Sequence, residues 1–461
     1  MATRVLAPTN AAWLTIDTPK TPMHAGGLFI FNHPDDVPDG GMADYLRTLV
    51  SDLTRNRELE APWNQRLRRA GLRGLPIMVD DERADLEYHI RYSALPEPGG
   101  ERELGELISR LHSHRLDLDR PLWECHVIGG LEGGRFAIYV KIHQVLTYGP
   151  MGVHTLLSTL SEDPYQRGIS PLWGSGLPSA QGGGALDPAK MLSGVAGAAR
   201  SLFDQLSLDS IGKVVTRSAP KSMLTGRIGG HRRVATQLYD HAAFDALCAE
   251  AQIDHAVLVQ YLVGTALRRY LKEYNALPDK SLVAGFPIVV DEDIGEEAGD
   301  PGVAIGMARL GTDISDHLSR LDMIKEGVAR ARQRVYGLSA EGATLYTLAL
   351  MQPYMTSAMA RTITGVTKVR VPWNLFISSY DGPQGPLYFN GAPLEAYHPL
   401  PPLWQGSGLA ISSLSANGKV SMGVIGDRDR VPHTQRLAVY MGDALEDLTD
   451  RLIGAGKEAA Q

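Results

Sequence analysis

The chain has 461 residues, of which 44% are hydrophobic and 21% charged, close to the averages of soluble globular proteins. This composition excludes a wholly disordered or fibrous protein, and the length predicts two or three globular units. The formal net charge of −7 and the pI of about 6.1 lack the basic excess of nucleic-acid-binding proteins, so we expect no nucleic acid as a partner.

The two cysteines, Cys125 and Cys248, are too few for a disulfide scaffold or a cysteine-based metal centre. We therefore expect no metal and a reducing, cytoplasmic environment. The N-terminal segment lacks the unbroken apolar run of a signal peptide, and no stretch of about 18 apolar residues predicts a membrane span. The most apolar helical stretch, residues 343–360, is interrupted by Gln352 and Pro353, so we expect a core helix there.

The first part of the chain alternates patterns typical of strands and helices. Strands are predicted over residues 24–31, 123–128 and 135–142, and helices over residues 41–55, 104–114 and 150–160. The last two strands are separated by the glycine-rich turn GGLEGG, which predicts an antiparallel hairpin. Pro150 suits the first turn of the helix that follows this hairpin.

A segment rich in Gly, Ser, Pro and Ala divides the chain, and this composition is typical of a linker. It contains MLSGVAGAARSLFDQLSL, whose spacing predicts an amphipathic helix. The later part predicts helices over residues 257–274 and 434–452, strands over residues 282–290 and 373–379, and a hairpin over residues 409–427. The sequence thus predicts a domain over 1–167, a linker over 168–230 and a domain over 231–461. The fold class is α/β (α+β) in two layered domains.

One polar pair stands at the end of the second hairpin strand, where catalytic groups often occur. His143 and Gln144 follow the strand and precede Tyr148, Gly149 and Pro150. A lone histidine after a strand is more often a structural residue than a catalyst. The residues by themselves leave both interpretations open.

The surrounding segments resemble the bacterial wax ester synthase/diacylglycerol acyltransferase (WS/DGAT) family over essentially the whole chain. The resemblance is carried by AAWLTIDTPKTPMHAGGLFIF, RPLWECHVIGGLEGGRFAIYVKIHQVLTYGPMGVH, SLVAGFPIVV and DRDRVPHTQRLAVYMGDAL. It implies two chloramphenicol acetyltransferase-like or condensation-domain-like lobes that flank a central channel. It also implies that fatty acyl-CoA is a substrate and that no cofactor is needed. The second substrate would be a long-chain alcohol or diacylglycerol, giving wax ester or triacylglycerol.

The family motif HHxxxDG matches residues 143–149 of this chain only in part. His143 keeps the first histidine and Gly149 the glycine, whereas Gln144 stands at the catalytic histidine and Tyr148 at the aspartate. A glutamine amide has no usable basicity near neutral pH, so it cannot take the hydroxyl proton of the alcohol. Losing a positioned base costs about 10²–10⁴ in rate, so the resemblance predicts reduced, redirected or lost activity.

Other family signatures, which the resemblance places near the substrates, are kept unevenly. The Pro-Leu-Trp element is intact at Pro121, Leu122 and Trp123. The asparagine–aspartate pair of the second-domain helix is replaced by Ala256 and Val257. The strand corner that begins at Ser378 and Ser379 keeps only its ends.

Three hypotheses follow from these observations. The chain is an O-acyltransferase with a substitute base, or an acyl-CoA- and lipid-binding protein without catalysis that regulates or pairs with an active paralogue. The third hypothesis is an interaction protein on lipid inclusions. A peripheral membrane or inclusion surface, and a dimer with a second copy or a paralogue, are partners compatible with these hypotheses.

Overall fold

The computed structural model describes residues 3–6, 13–38, 40–55, 59–69, 76–146, 149–168, 171–174, 219–290, 302–364 and 371–454. The strands in chain order are β1 (Thr3–Val5), β2 (His24–Phe31), β3 (Gln65–Arg69), β4 (Pro76–Asp80), β5 (Ile90–Ala94), β6 (Trp123–Gly129), β7 (Phe136–His143), β8 (Thr225–Gly226), β9 (Arg232–Asp240), β10 (Val283–Val289), β11 (Val303–Arg309), β12 (Leu375–Asp381), β13 (Tyr388–Phe389), β14 (Ala392–Leu400), β15 (Gly406–Ser407), β16 (Leu409–Ala416) and β17 (Lys419–Asp427). The α-helices are α1 (Met42–Arg55), α2 (Leu86–His89), α3 (Glu101–Ser113), α4 (Gly149–Leu157), α5 (His241–Ala251), α6 (His255–Glu273), α7 (His317–Val335), α8 (Ala340–Thr364) and α9 (Gln435–Thr449).

The first large sheet has the strand order β13-β14-β2-β7-β6-β5. The predicted hairpin is confirmed, because β6 and β7 pair antiparallel with Trp123 opposite Ile142. On the other side of β7, β2 pairs antiparallel and sets His24 opposite His143. The predicted motif therefore follows a central strand of this sheet.

The second large sheet has the order β11-β10-β12-β16-β17-β9. Its three middle strands β10, β12 and β16 run parallel, while the remaining neighbours pair antiparallel. Helix α6 lies in its core, with Leu258, Leu262 and Leu267 fully buried. This arrangement confirms the α/β (α+β) class.

The sequence predicts two domains that follow one another along the chain, but the first sheet takes strands from both parts. Strands β13 and β14, from the C-terminal part of the chain, belong to the first sheet, and β14 pairs antiparallel with β2. The predicted boundary at residue 230 therefore does not by itself separate the sheets. This strand exchange had no signal in local composition, because sheet partners are chosen by tertiary packing.

Most local elements agree with the sequence expectations within a few residues. The apolar stretch at residues 343–360 lies in helix α8, where Tyr346, Leu350 and Tyr354 are buried in a cluster with Trp373. This burial confirms a core helix. The predicted amphipathic helix at residues 191–208 lies outside the described residues.

Two hydrophobic clusters contain residues of both large sheets. One of them joins Leu28 and Tyr139 of the first sheet to Ala410 and Ile425 of the second. The backbones also approach closely, since a Cβ at Gly423 would lie 2.1 Å from the carbonyl oxygen of Pro399. Only glycine allows β14 to cross β17 at this distance.

Helix α3 is held against the second sheet by two serines one helical turn apart. The N–H of Val234 donates to Oγ of Ser109 at 2.9 Å, and the N–H of Arg232 donates to Oγ of Ser113 at 2.8 Å. Because β9 is an edge strand, these backbone groups would otherwise have no ladder partner. The serine hydroxyls thereby accept the N–H groups on the edge of β9 that faces the first lobe.

Replacing both serines by alanine should lower the stability of the lobe contact. Each lost acceptor leaves a backbone N–H without its partner, which costs about 1–3 kcal/mol in free energy of unfolding when the group stays buried. The midpoint of urea unfolding of Ser109→Ala/Ser113→Ala should therefore fall. Ser51→Ala on α1 is the control and should change the free energy by less than about 0.5 kcal/mol. Equal midpoints for the two variants would contradict this account.

Candidate active site

The loop after β7 is fixed by backbone hydrogen bonds to neighbouring segments. The N–H of His143 donates to the carbonyl of Leu122 at 3.0 Å, and the N–H of Gln144 donates to the carbonyl of Met23 at 2.9 Å. Val145 is buried in a small cluster with Leu122. The Pro-Leu-Trp element and the segment before β2 thus position the first residues of the motif.

The side chain of His143 is buried inside the fold. Its side chain is 1% exposed, and its Nδ1 accepts the N–H of Val145 at 3.0 Å. In the neutral imidazole the proton must then lie on Nε2, which faces Oδ2 of Asp17 at 3.4 Å. Because the one lone pair is already used by the loop backbone, His143 cannot serve as a base without breaking this turn.

Asp17 anchors this histidine, and sequence reasoning missed it. Its carboxylate accepts the N–H of Met23 at 3.1 Å and two hydrogen bonds from Arg115, at 2.9 and 2.7 Å. Burial alone would raise the pKa of Asp17, but His143 and Arg115 outweigh it and hold that pKa below its usual value. Asp17 is therefore an ionised, buried carboxylate that holds the start of β2 and the motif together.

Gln144 occupies the next position and is 5% exposed. Among the described residues its side-chain amide makes no hydrogen bond. Its neighbours Thr147 and Tyr148 lie outside the described residues. Gly149 is the first residue of helix α4, so the motif spans a strand end and a helix start as the sequence predicts.

A buried charged pair lies on the same face of β7 as His143. Lys141 is 1% exposed, and its Nζ lies 3.0 Å from Oε2 of Glu124 on β6. Burial raises the pKa of Glu124, whereas His126 and Lys141 lower it to a net value of about 2. Nζ of Lys141 also donates to the carbonyl of His114 at 3.0 Å. The pair is therefore ionised and ties β6 and β7 to the end of α3.

Two further histidines fill the space between β2 and α3. Nε2 of His24 donates to the carbonyl of His112 at 3.0 Å, and Nδ1 of His112 lies 2.8 Å from the hydroxyl of Tyr139. Burial and nearby positive charges lower the pKa of His112 to about 3, and burial lowers that of His24 well below its usual value. Both rings are neutral near pH 7, which fits a structural role for His24 and His112.

A period-two pattern in the sequence could have revealed this polar face. In RFAIYVKIH, Tyr139, Lys141 and His143 alternate with isoleucine and valine, and Glu124 and His126 alternate in the same way on β6. Alternate residues of a strand share one face. Which element covers that face could not be derived from the pattern.

Trp123 is fully buried in an aromatic stack. Its ring lies between His89 and Trp173, with centroid distances of 4.5 and 4.7 Å, and its Nε1 donates to the carbonyl of Trp63 at 2.9 Å. Pro121 pairs with Arg66 in an isolated β-bridge. These contacts give the Pro-Leu-Trp element a packing role behind the motif.

Ser378 and Ser379 lie on β12 beside the parallel strand β16. The hydroxyls of Ser378 and Ser412 are 2.6 Å apart, and Ser413 donates to Oγ of Ser379 at 3.0 Å. At the end of this strand, a Cβ on Gly382 would lie 2.9 Å from Cδ1 of Leu157 in α4. The serine corner and the helix that follows the motif therefore meet.

Ala256 and Val257 lie elsewhere, in the first turn of α6. Val257 is buried in the core of the second lobe, and its N–H donates to the capping Asp254 at 2.9 Å. It also lines a cavity of about 490 Å³ with Cys248 and Lys325. The structure thus groups Val257 with α5 and α7 and not with Gln144.

Within the described ranges, every helix is too short or too polar to cross a membrane.

Comparisons with known proteins first establish the class. The first condensation domain of the calcium-dependent antibiotic synthetase superposes with a TM-score of 0.56 at 14% identity, covering 97% of this chain and 96% of that domain. A likeness at this identity shows the fold alone: two lobes of the condensation-domain and chloramphenicol acetyltransferase type.

Closer relatives then establish the family. The sequence model of the wax ester synthase/diacylglycerol acyltransferase catalytic domain matches residues 6–252, and that of the WS/DGAT C-terminal domain matches residues 302–449. The wax ester synthase/diacylglycerol acyltransferase from Marinobacter aquaeolei VT8 superposes with a TM-score of 0.77 at 34% identity, covering 97% of this chain and 99% of that one. The chain belongs to the WS/DGAT family.

Two curated relatives agree with this assignment. A Mycobacterium tuberculosis H37Rv protein, provisionally named diacyglycerol O-acyltransferase Rv3480c, is 37% identical over 496 residues, covering 96% of this chain and 97% of its own. The O-acyltransferase WSD of Acinetobacter baylyi is 32% identical over 457 residues and covers 96% of both chains. The resemblance seen in the sequence is thereby confirmed at the level of the family.

Removing the charge of Asp17 should destabilise the protein. Asp17 is fully buried but the side chain of its partner Arg115 is 30% exposed, so Asp17→Asn should lower the free energy of unfolding by about 1–3 kcal/mol, the order expected for hydrogen bonds to a charged group. The exposed pair of Asp44 and Arg47 is the matched control, and Asp44→Asn should cost less than about 1 kcal/mol.

The pH dependence of stability gives a second readout of the same variant. The pKa of Asp17 in the folded protein is below the ordinary value of 3.8. The carboxylate therefore adds fully to the free energy of unfolding above about pH 4, and this stabilisation is lost as the pH falls through the folded pKa. Thermal unfolding between pH 3 and pH 7 should therefore show a shallower acid loss for Asp17→Asn than for the unmodified protein. Parallel curves would contradict the assigned ionised state.

Proposed function

We propose that the chain binds fatty acyl-CoA and a long-chain alcohol or diacylglycerol between its lobes and transfers the acyl group weakly or not at all. The observation that carries the proposal is the state of the motif. Gln144 stands where the family has its base. The neighbouring His143 is buried, its Nδ1 accepts the N–H of Val145, and its Nε2 faces the carboxylate of Asp17 at 3.4 Å.

The chemistry explains why this replacement matters. In ester formation the alcohol oxygen attacks the thioester carbonyl carbon, the C–S bond breaks and CoA leaves as a thiol. The hydroxyl proton must pass to a base as the C–O bond forms. The amide of Gln144 can orient a hydroxyl by a hydrogen bond, but it cannot accept this proton near neutral pH.

His143 does not supply the missing base in this arrangement. Its Nδ1 accepts the Val145 N–H, and its Nε2 faces Asp17, which Arg115 holds in place. Moving the ring to a substrate would break these contacts and expose a buried carboxylate. Proximity of the two substrates remains as a source of slow transfer.

A second candidate function is acyl-CoA binding without catalysis, in partnership with an active paralogue. This function is favoured because the chain keeps the family residues that pack in the core but replaces polar residues of the family motifs. The packing contacts of Trp123 and Leu122 are kept, whereas Gln144, Ala256 and Val257 replace polar family residues.

Thiol release from palmitoyl-CoA with hexadecanol or diacylglycerol tests the first function. We expect a rate about 10²–10⁴ below that of a family member with histidine at this position, because the base is missing. Gln144→His, alone and with Tyr148→Asp, should raise the rate of this protein toward that value. Gln144→Asn keeps an amide and is the matched control, for which no gain is expected. A normal rate in the unmodified protein would refute the proposal.

Calorimetric titration with palmitoyl-CoA separates the second function from the first. Saturable uptake at one molecule per chain, together with a rate at background, would support a binding protein. Uptake should be unchanged in Gln144→Asn, since the amide is not needed to hold the acyl chain. Absence of both uptake and turnover would contradict both functions and leave the interaction-protein hypothesis.

A further inference from the structure

Two histidines and an aspartate converge where helices α5 and α6 begin. Nδ1 of His241 lies 3.1 Å from Oδ2 of Asp245, and Nε2 of His255 lies 2.8 Å from Oδ1 of the same carboxylate. When one ligand atom is taken from each residue, the three atoms all lie within 4.8 Å of one another. The cluster is far along the chain from the motif and has no role in the function proposed above.

The three groups are of the kind and spacing that zinc requires. Zn²⁺ binds imidazole nitrogen at about 2.0–2.1 Å and carboxylate oxygen at about 2.0–2.2 Å, so neighbouring ligand atoms of a tetrahedral site lie about 3.3 Å apart. The two nitrogen–oxygen distances of 3.1 and 2.8 Å are already near this value. In the metal-free chain each of these nitrogens faces a carboxylate oxygen as a hydrogen-bond donor, so the ion would replace these two hydrogen bonds and each imidazole would lose the proton on that nitrogen.

The local structure holds the ligands in place before any ion binds. His241 and Asp245 are four residues apart on α5, so they share one face of the helix. His255 opens α6 directly after its capping residue Asp254, and its ring packs edge-on against the fully buried Phe244 at a centroid distance of 5.6 Å. A rigid site loses less conformational entropy on binding.

Access and charge also suit a cation. The side chains of His241 and His255 are 22% and 19% exposed, and that of Asp245 is 57% exposed, so an ion and a coordinating water can enter. The capping carboxylates of Asp240 and Asp254 precede the two histidines in the chain, where they offset the positive ends of the helices and also pair with Lys419 and Arg332.

We propose that His241, Asp245 and His255 bind one Zn²⁺ ion, with water as the fourth ligand, and that the ion joins the start of α5 to the start of α6. This differs from the expectation drawn from the cysteine count, because the ligands are histidine and aspartate. The spacing His-x₃-Asp-x₉-His becomes a site only when the turn between the helices folds α6 back toward α5.

The test uses the full-length chain without a histidine tag, freed of metal with a chelator. Titration with Zn²⁺ alone should show one saturable site per chain, and His255→Ala or Asp245→Asn should weaken it by at least about 10-fold. Co²⁺ in place of Zn²⁺ should give the intense visible absorption of a tetrahedral nitrogen–oxygen site, lost in the same variants. His231→Ala, which removes an exposed histidine outside the cluster, is the matched control and should bind as the unmodified chain does.

Thermal unfolding gives a readout that does not depend on catalysis. Zinc at 100 times its dissociation constant should raise the melting temperature of the unmodified chain by about 3 °C and leave that of Asp245→Asn unchanged. Because Asp245 is mostly exposed, this variant should fold, and circular dichroism checks that it does. Zinc binding that persists unchanged in both His255→Ala and Asp245→Asn, or no saturable binding by the unmodified chain, would overturn the proposal.

Discussion

The pairing of β14 with β2 is the constraint on which the rest of the structure depends. This contact carries a strand from the C-terminal part of the chain into the first sheet, and the next strand in that sheet is β7, which ends in the motif. The same β14 crosses β17 so closely that Gly423 has no room for a side chain. The two lobes are therefore one packed body, and their relative position is set by backbone contact rather than by a loose linker.

Charges buried at the lobe boundary make this arrangement specific. Asp17 with Arg115, and Glu124 with Lys141, are pairs whose members come from different elements. Each pair is costly to bury and is tolerated only because several hydrogen bonds satisfy it. A shift of α3 or of the β2 segment would leave a charge unpaired, so these pairs fix the elements that surround the motif loop.

Within this arrangement of strands and helices, the acyl transfer that we propose depends on the side chain of Gln144. Backbone bonds from His143 and Gln144 give the loop a defined course, and Trp123 supports it from behind. These contacts do not involve the side chain of Gln144, so the scaffold keeps its shape whether or not a base stands at this position. Membership of the WS/DGAT family establishes the architecture, while Gln144 determines the rate that we propose, and the two can change independently.

Local patterns determined much about this protein from the sequence alone. Alternating apolar residues defined β2, β6 and β7, helical spacing defined α1, α3, α6 and α9, and the quoted segments led to the family and to the position of Gln144. These features depend on neighbours within a few residues, which is why a sequence reveals them. Tertiary structure alone decided that β14 joins the first sheet, that Asp17 meets His143 and Arg115, and that His255 meets Asp245. Each of these contacts joins residues from separate elements, and such pairings are selected by packing and charge in three dimensions, for which no local pattern exists.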